Sequence, residues 1–172
     1  MTAALFLNGT VGSGKSATAD AVGDLLAERG IPHAVIDLDA LRRVWPAPAD
    51  DPFQTELELA NLSDYARNAS AAGARVLVLA GVVEEVAALP RYEEAVGGPV
   101  TLVRLRADPG VTERRLRARH SADPDGLDWH LARRGELEAV LDGAGLPDTT
   151  VTTDDRTPRQ VAEEALSGWD AV

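Results

Sequence analysis

A glycine-rich loop close to the N terminus constrains the fold of this chain more than any other feature. Residues 9–16 read Gly-Thr-Val-Gly-Ser-Gly-Lys-Ser and match the pattern G-x-x-x-x-G-K-[ST] at each fixed position. The apolar run Ala3–Asn8, which reads as a buried strand, precedes the loop, and a helical pattern follows it. A glycine-rich loop between a strand and a helix is typical of a phosphate-binding loop, because its backbone N–H groups can point at phosphate oxygens.

The motif predicts a role for each of its residues. Lys15 would reach the β- and γ-phosphates of a nucleotide, and the Ser16 hydroxyl would bind Mg²⁺. Lys15 is also the only lysine among 17 basic residues. A compact ammonium is not interchangeable with a planar guanidinium inside a tight loop, so its use here suggests a specific task. We predict that Lys15 is catalytic, that Ser16 is a metal ligand, and that the nucleotide is bound by Gly9, Thr10, Val11, Gly12, Ser13, Gly14, Lys15 and Ser16. The next residue, Ala17, is given no role.

The rest of the chain alternates between candidate strands and candidate helices. The strands are predicted at residues 3–8, 33–37, 76–80, 100–105 and 149–153, and the helices at about 15–29, 40–45, 53–72, 109–119, 127–141 and 158–166. Most of these strands are apolar throughout, which predicts an α/β fold with a parallel sheet covered on both faces. The length of 172 residues favours a single domain over residues 1–172. In such sheets ligands bind beyond the carboxyl ends of the strands.

Two carboxylates follow the second predicted strand. Asp37 and Asp39 are separated by one residue, so in an extended segment both side chains point the same way. One of them could orient Mg²⁺ through its waters, and the other could accept a proton from an attacking hydroxyl. The sequence leaves open which does which. Alternatively, Asp39 caps the helix predicted from Ala40 and Asp37 is solvated.

Arginines are concentrated in the later part of the chain. We predict a helical lid at about residues 117–135, with Arg119 and Arg133 stabilising charge on the transferring phosphoryl group. The alternative is a basic helix end that interacts with its own dipole. Arg156, after the fifth strand, could stack on a nucleotide base. Three further arginines could bind an anionic group on the acceptor: Arg42, Arg43 and Arg91.

Composition excludes several classes of function. The chain has no cysteine, so it has no disulfide or thiolate metal site. A net charge of −11 argues against a nucleic-acid-binding or membrane-binding surface. There is no long apolar run and no signal-like N terminus, so we expect a cytoplasmic protein that acts on a small molecule. The three histidines lack metal-ligand spacing, and we expect the three tryptophans to serve in packing. The oligomeric state is not predicted.

Taken in order, these motifs resemble the small P-loop kinases, a group that includes shikimate, gluconate and adenylylsulfate kinases and chloramphenicol phosphotransferase. The resemblance covers nearly the whole chain, although only the loop at residues 9–16 is specific at residue level. It implies a P-loop NTPase fold with strand order 2-3-1-4-5, ATP and Mg²⁺ as cofactors, and a mobile lid. It also implies that Asp37 acts through Mg²⁺-bound water and that Asp39 binds the acceptor. One departure is Leu38, since adenylylsulfate and gluconate kinases have glycine between the two aspartates.

The leading hypothesis is therefore an ATP-dependent kinase that transfers the γ-phosphoryl group of MgATP to a hydroxyl or phosphate of a small metabolite. Nucleosides, nucleotides, sugars and natural products all fit as acceptors. A nucleotide-binding regulatory protein without phosphoryl transfer is the main alternative, because no acid directly follows the third strand. An ATPase that drives a partner's conformational change is a third possibility.

Overall fold

The computed structural model describes residues 2–146 and 148–170. Its five strands are β1 (Ala3–Asn8), β2 (His33–Asp37), β3 (Val76–Ala80), β4 (Val100–Arg106) and β5 (Asp148–Thr152). Its α-helices are α1 (Lys15–Glu28), α2 (Thr55–Ala71), α3 (Leu89–Val96), α4 (Pro109–Arg119), α5 (Pro124–Gly143) and α6 (Pro158–Ser167). Two short 3₁₀ turns, Leu38–Ala40 and Val86–Ala88, follow β2 and precede α3.

All five strands are parallel and lie in the order β2-β3-β1-β4-β5. The predicted α/β fold and its strand order are therefore confirmed. Because β1 is central and β3 separates it from β2, the segments that follow these strands meet at one edge of the sheet. This edge holds both the glycine-rich loop and the two aspartates.

Apolar side chains cover both faces of the sheet, which gives three layers. On one face α1 and α6 pack against the sheet, and Leu26 of α1 joins Leu5 of β1 in a fully buried cluster. On the opposite face α2 and α3 pack, and the Tyr92 ring of α3 meets Phe6 of β1 edge-on with centroids 5.2 Å apart. In the described part of the chain, no helix is both long enough and apolar enough to cross a membrane.

Two arginines on β4 hold the C-terminal half of α5 against the sheet. Arg104 is 7% exposed and donates to the Leu141 carbonyl at 3.1 Å and to Asp142 at 2.8 Å. Arg106 donates to Glu138 at 3.0 Å. The first half of α5 carries none of these contacts and extends to the functional cleft. The lid expected at residues 117–135 thus spans the end of α4, the turn after it and this first half. Its movement, like the assignment of residues 1–172 to one domain, stays a prediction.

The helix predicted at residues 40–45 is wrong. Only the 3₁₀ turn Leu38–Ala40 forms there, and residues 41–54 are a loop. Pro46 and Pro48 explain the difference, since proline removes a backbone donor and disfavours helix in the residue before it. The Gln54 side chain closes the loop by bonding to both backbone groups of Val44, at 3.2 and 2.9 Å.

Leu38, which lies between the two aspartates, anchors the end of β2. Its side chain is fully buried. A Cβ added at Gly81, directly after β3, would lie 2.7 Å from Leu38 Cδ1 and 3.1 Å from Phe6 Cζ. Leu38 thus occupies the space that a side chain at position 81 would need. The packing of Leu38 on Gly81 therefore sets where the flanking carboxylates lie.

We predict that Gly81→Ala lowers the free energy of unfolding by about 1–3 kcal/mol, because the added methyl group overpacks a buried site. Gly135→Ala is the matched control. Gly135 is exposed within α5, and its added Cβ would contact nothing within 4 Å. This control should raise the free energy of unfolding by up to about 1 kcal/mol through helix propensity. Urea denaturation measures both, and a Gly81→Ala variant as stable as the original protein would contradict the packing argument.

Candidate active site

The backbone conformation of residues 9–16, called the phosphate loop below, requires its glycines. Gly12 and Gly14 have φ angles of 81° and 100°, in the left-handed region that side chains disfavour. At Gly9, an added Cβ would come within 2.6 Å of the Leu105 carbonyl oxygen. The loop therefore adopts a conformation that this glycine spacing permits, with α1 beginning at Lys15 directly after it. The N-terminal end of α1 thus opens onto the loop, where its dipole favours an anion.

Lys15 folds over its own loop. Its Nζ donates to the carbonyls of Gly9 and Thr10, both at 2.9 Å. Burial against the loop lowers the pKa of the Lys15 ammonium to about 8, while the negative charges of Asp39 and Asp37 act in the opposite direction. A cation held partly out of water in this way interacts more strongly with a phosphate than a solvated one does.

Ser16 and Asp37 meet at the start of α1. The Ser16 hydroxyl donates to Asp37 Oδ2 at 2.5 Å, and Asp37 Oδ1 accepts the backbone N–H of Asp39 at 3.1 Å. Hydroxyl and carboxylate oxygens are ligands that Mg²⁺ prefers, and this ion is usually held by one or two carboxylates together with substrate phosphates. Within residues 2–146 and 148–170 there is no group of three or more His, Asp or Glu side chains that could hold a metal alone. The pair fits Mg²⁺ shared with a bound nucleotide.

Asp39 belongs to a chain of ionic contacts that leads away from the phosphate loop. Its carboxylate accepts a hydrogen bond from Arg42 Nε at 3.1 Å, and Arg42 also pairs with Glu58 at 3.4 Å. Glu58 is 3% exposed and accepts the Tyr92 hydroxyl at 2.7 Å. Burial raises the pKa of Glu58, while the Tyr92 hydrogen bond and the Arg42 charge oppose that rise. Arg42 is thereby fixed beside Asp39.

A single cleft of about 660 Å³ connects these groups. Lys15 and Ser16 line it together with Asp37 and Asp39, so the structure brings the predicted phosphate-binding and acceptor-binding residues together. The volume lies within the range typical of ligand sites. The remaining walls come from the loop that follows β3 and from helices α2, α3, α4 and α5.

The two predicted lid arginines both line this cleft. Arg119 lies at the end of α4 and is exposed; its positive charge contributes to lowering the pKa of Lys15. Arg133, on α5, donates to Glu84 and lies over the Phe53 ring at 5.2 Å from the centroid. Glu84 lies in the loop after β3 and also lines the cleft, and α3 begins only at Leu89.

Asn8 is a positioning residue that the sequence reasoning missed. It is fully buried at the end of β1, and its side-chain oxygen accepts the N–H groups of Gly9, at 2.9 Å, and Val83, at 3.1 Å. Its amide also donates to the Val83 carbonyl at 3.1 Å. The phosphate loop is thus tied to the loop that follows β3. A polar residue ending an otherwise apolar strand was the available signal.

Thr153 and Arg115 form a second connection that was missed. The buried Thr153 hydroxyl donates to the Ser13 carbonyl at 3.0 Å, which places the β5–α6 loop beside the phosphate loop. Arg115 of α4 donates to the same hydroxyl at 3.0 Å, to the Thr153 carbonyl at 2.9 Å and to the Gly12 carbonyl at 3.3 Å. The base of the lid, the phosphate loop and the β5–α6 loop therefore share one hydrogen-bond network.

Comparison with known proteins agrees with this architecture. No known family model and no curated protein matches the sequence, but solved structures do. The APS kinase of Mycobacterium tuberculosis, solved in complex with AMPPNP and APS, is 27% identical, with a TM-score of 0.61 and 96% of each chain covered. The resemblance to the small P-loop kinases is confirmed.

Two further solved structures share the fold at lower identity. The tunicamycin resistance protein of Deinococcus radiodurans is 20% identical with a TM-score of 0.66, covering 97% of this chain and 95% of its own. A gluconokinase from Sinorhizobium meliloti 1021 is 18% identical with a TM-score of 0.62, covering 96% and 90%. Neighbours named for different molecules thus have this architecture, so the small P-loop kinase fold does not specify the acceptor.

Of the other arginines with a predicted binding role, two lie outside the cleft and two line it. Arg156 does not line the cleft; it donates to the Thr152 and Gln160 carbonyls within the β5–α6 turn. Arg43 is exposed and also outside the cleft, whereas Arg42 and Arg91 line it.

The tryptophans and histidines lie in different environments. Only Trp169 is buried, at 4% exposure, so the expectation that all three tryptophans pack is wrong. Trp129 is 59% exposed and lines the cleft with His130. The His120 and His130 rings are in contact, with centroids 4.3 Å apart and their planes tilted by 49°.

We predict that Thr153→Val lowers the free energy of unfolding by about 1–3 kcal/mol, since the Ser13 carbonyl and Arg115 both lose a buried hydrogen-bond partner. Amide hydrogen exchange in the phosphate loop should become faster in this variant. Thr152→Val makes the same chemical change at an exposed position of β5. This control should alter stability by no more than about 0.5 kcal/mol. Equal effects from the two substitutions would contradict the network.

Proposed function

We propose that the protein is an ATP-dependent kinase that transfers the γ-phosphoryl group of ATP to a hydroxyl of a small molecule. The observation that carries the proposal is the single cleft onto which both Lys15, in the phosphate loop, and Asp39 open. A neighbour at 27% identity over almost its whole length is an APS kinase solved with the nucleotide AMPPNP, which supports ATP as the donor. A purely nucleotide-binding protein would not need the Asp39 carboxylate in the part of the cleft beyond the phosphate loop.

The reaction is a displacement at the γ-phosphorus. The acceptor oxygen forms a new bond to phosphorus, while the bond from phosphorus to the bridging β–γ oxygen breaks and leaves its electron pair on ADP. The acceptor hydroxyl gives its proton to the Asp39 carboxylate. Lys15 and Arg119 hold the phosphate oxygens and stabilise their negative charge, so positioning and electrostatics supply most of the catalysis.

Ser16 and Asp37 would hold Mg²⁺, which when bound supplies charge neutralisation on the phosphates. This assignment separates the two aspartates by their contacts. Asp37 is bonded to Ser16, beside the phosphate loop, whereas Asp39 is bonded to Arg42, on the other side. Arg133 borders the acceptor, and its contact with Glu84 gives it a positioning role.

We expect Lys15→Ala to reduce acceptor-dependent ADP release by at least about 100-fold while leaving the fold intact, because the ammonium makes its main contribution to the bound phosphates. Release is measured with MgATP and a panel of nucleosides, sugars and natural-product alcohols. Arg67→Ala is the control, since Arg67 is a surface cation on α2, 69% exposed and paired with Asp64. Nucleotide binding without acceptor-stimulated release in the original protein would favour a nucleotide-binding regulatory role instead.

Replacing each aspartate in turn with asparagine distinguishes the proposed roles of Asp37 and Asp39. Asp39→Asn should reduce phosphoryl transfer by about 100-fold or more while nucleotide affinity stays unchanged, because the proton acceptor is lost. Asp37→Asn should weaken Mg²⁺-dependent nucleotide binding, since one ligand of the ion becomes neutral. Calorimetric titration of ADP with and without Mg²⁺, together with rate measurements, distinguishes the two. A loss of Mg²⁺-dependent binding in Asp39→Asn alone would reverse the assignment.

A further inference from the structure

The part of the cleft formed by α2, α3, α5 and the loops before them is rich in apolar and aromatic surface. Phe53 and Trp129, both 59% exposed, line it. Leu137 and Val83, which are 2% and 1% exposed, lie in its wall. Large exposed aromatic side chains beside a buried apolar wall mark a surface that a ligand or partner covers.

The arginines in this part of the cleft already have acidic partners. Arg42 pairs with Asp39 and Glu58, Arg91 with Glu56, and Arg133 with Glu84 and Glu136. An anionic ligand would have to displace these carboxylates or lie beside them, and either costs free energy.

The fourth arginine of the cleft is different. Arg119 makes no ion pair with any described acidic residue, and its charge acts on Lys15. Arg119 thus adds unpaired positive charge on the side of the phosphate loop. The opposite side carries an excess of negative charge, because five carboxylates face its three arginines and Glu85 also lines the cleft.

We propose that the acceptor is a compound without anionic groups that carries an aromatic ring and a hydroxyl group, in contrast to a phosphorylated, sulfated or carboxylated metabolite. This inference rests on the proposed kinase function for the hydroxyl. The ring packs among Phe53, Trp129 and the apolar wall, and the hydroxyl lies beside Asp39. Arg42 and Arg133 position the neighbouring carboxylates and rings, and neither binds an anion of the acceptor.

Three glycosides test the aromatic ring and the charge separately. Phenyl β-D-glucoside has a ring and no charge, phenyl β-D-glucuronide has the ring and a carboxylate, and methyl β-D-glucoside has neither. Calorimetric titration with ADP saturating the phosphate-loop side measures their binding independently of catalysis. We expect the phenyl glucoside to bind about tenfold more tightly than either of the others. Equal or tighter binding of the glucuronide or of the methyl glucoside overturns the proposal, and so does the absence of binding by all three.

ADP release from MgATP with the same compounds distinguishes this inference from the kinase function. Release that depends on Lys15 and occurs only with the glucuronide would overturn the inference and leave the kinase function standing. Preferential binding of the phenyl glucoside without ADP release would support the ring-binding site and count against phosphoryl transfer.

Variants test the aromatic packing and the pairing of the arginines separately. Phe53→Ala and Trp129→Ala should weaken phenyl glucoside binding about tenfold, whereas Trp45→Ala, a change at a residue that is 93% exposed and outside the cleft, should not. Glu84→Gln frees Arg133 from one partner and should raise glucuronide affinity about three- to fivefold. Glu113→Gln, which frees Arg117 on the surface of α4, is its control. Unchanged glucuronide affinity in Glu84→Gln would contradict the charge argument.

Discussion

The buried side chain of Asn8 fixes the geometry on which the cleft depends. Asn8 ends the central strand, and its one amide bonds to the first N–H of the phosphate loop and to both backbone groups of Val83. Buried polar groups are costly unless satisfied, so this arrangement permits few alternatives. The phosphate loop and the loop after β3 therefore leave the sheet in a fixed relation. Thr153 and Arg115 add the β5–α6 loop and the base of the lid on the other side.

On the acceptor side of the cleft, a buried ion pair fixes the position of Asp39. Glu58 is almost fully buried, and a lone carboxylate there would be strongly unfavourable. Arg42 and the Tyr92 hydroxyl compensate it, and Arg42 in turn holds Asp39. The orientation of the proposed proton acceptor thus depends on a carboxylate that does not itself line the cleft. Electrostatic preorganisation of this kind is what a reaction driven by positioning requires.

Sequence was sufficient for the fold and for the phosphate loop because both depend on local signals. Apolar runs, glycine spacing and the lone lysine can each be read without knowing tertiary contacts. The helix expected at residues 40–45 failed because apolar and arginine residues there resemble a helix while nearby prolines and Gln54 impose a loop. The role of Glu84 was missed for a different reason. Its partner Arg133 lies 49 residues away, and no local pattern indicates such a contact.

The same distinction bears on the arginines that could bind an anionic group of the acceptor. In the sequence, Arg42 and Arg91 are cations near a predicted ligand site, and arginine is well suited to phosphate and carboxylate. In the structure their charge is matched by acids from other elements, such as Glu58 and Glu56. What a ligand experiences is the net field in the cleft, set by pairs that only tertiary structure reveals. Because the chain is strongly acidic overall, such compensation is readily supplied. Among the described arginines that line the cleft, Arg119 is the one without an ion pair, so it can act as a free cation.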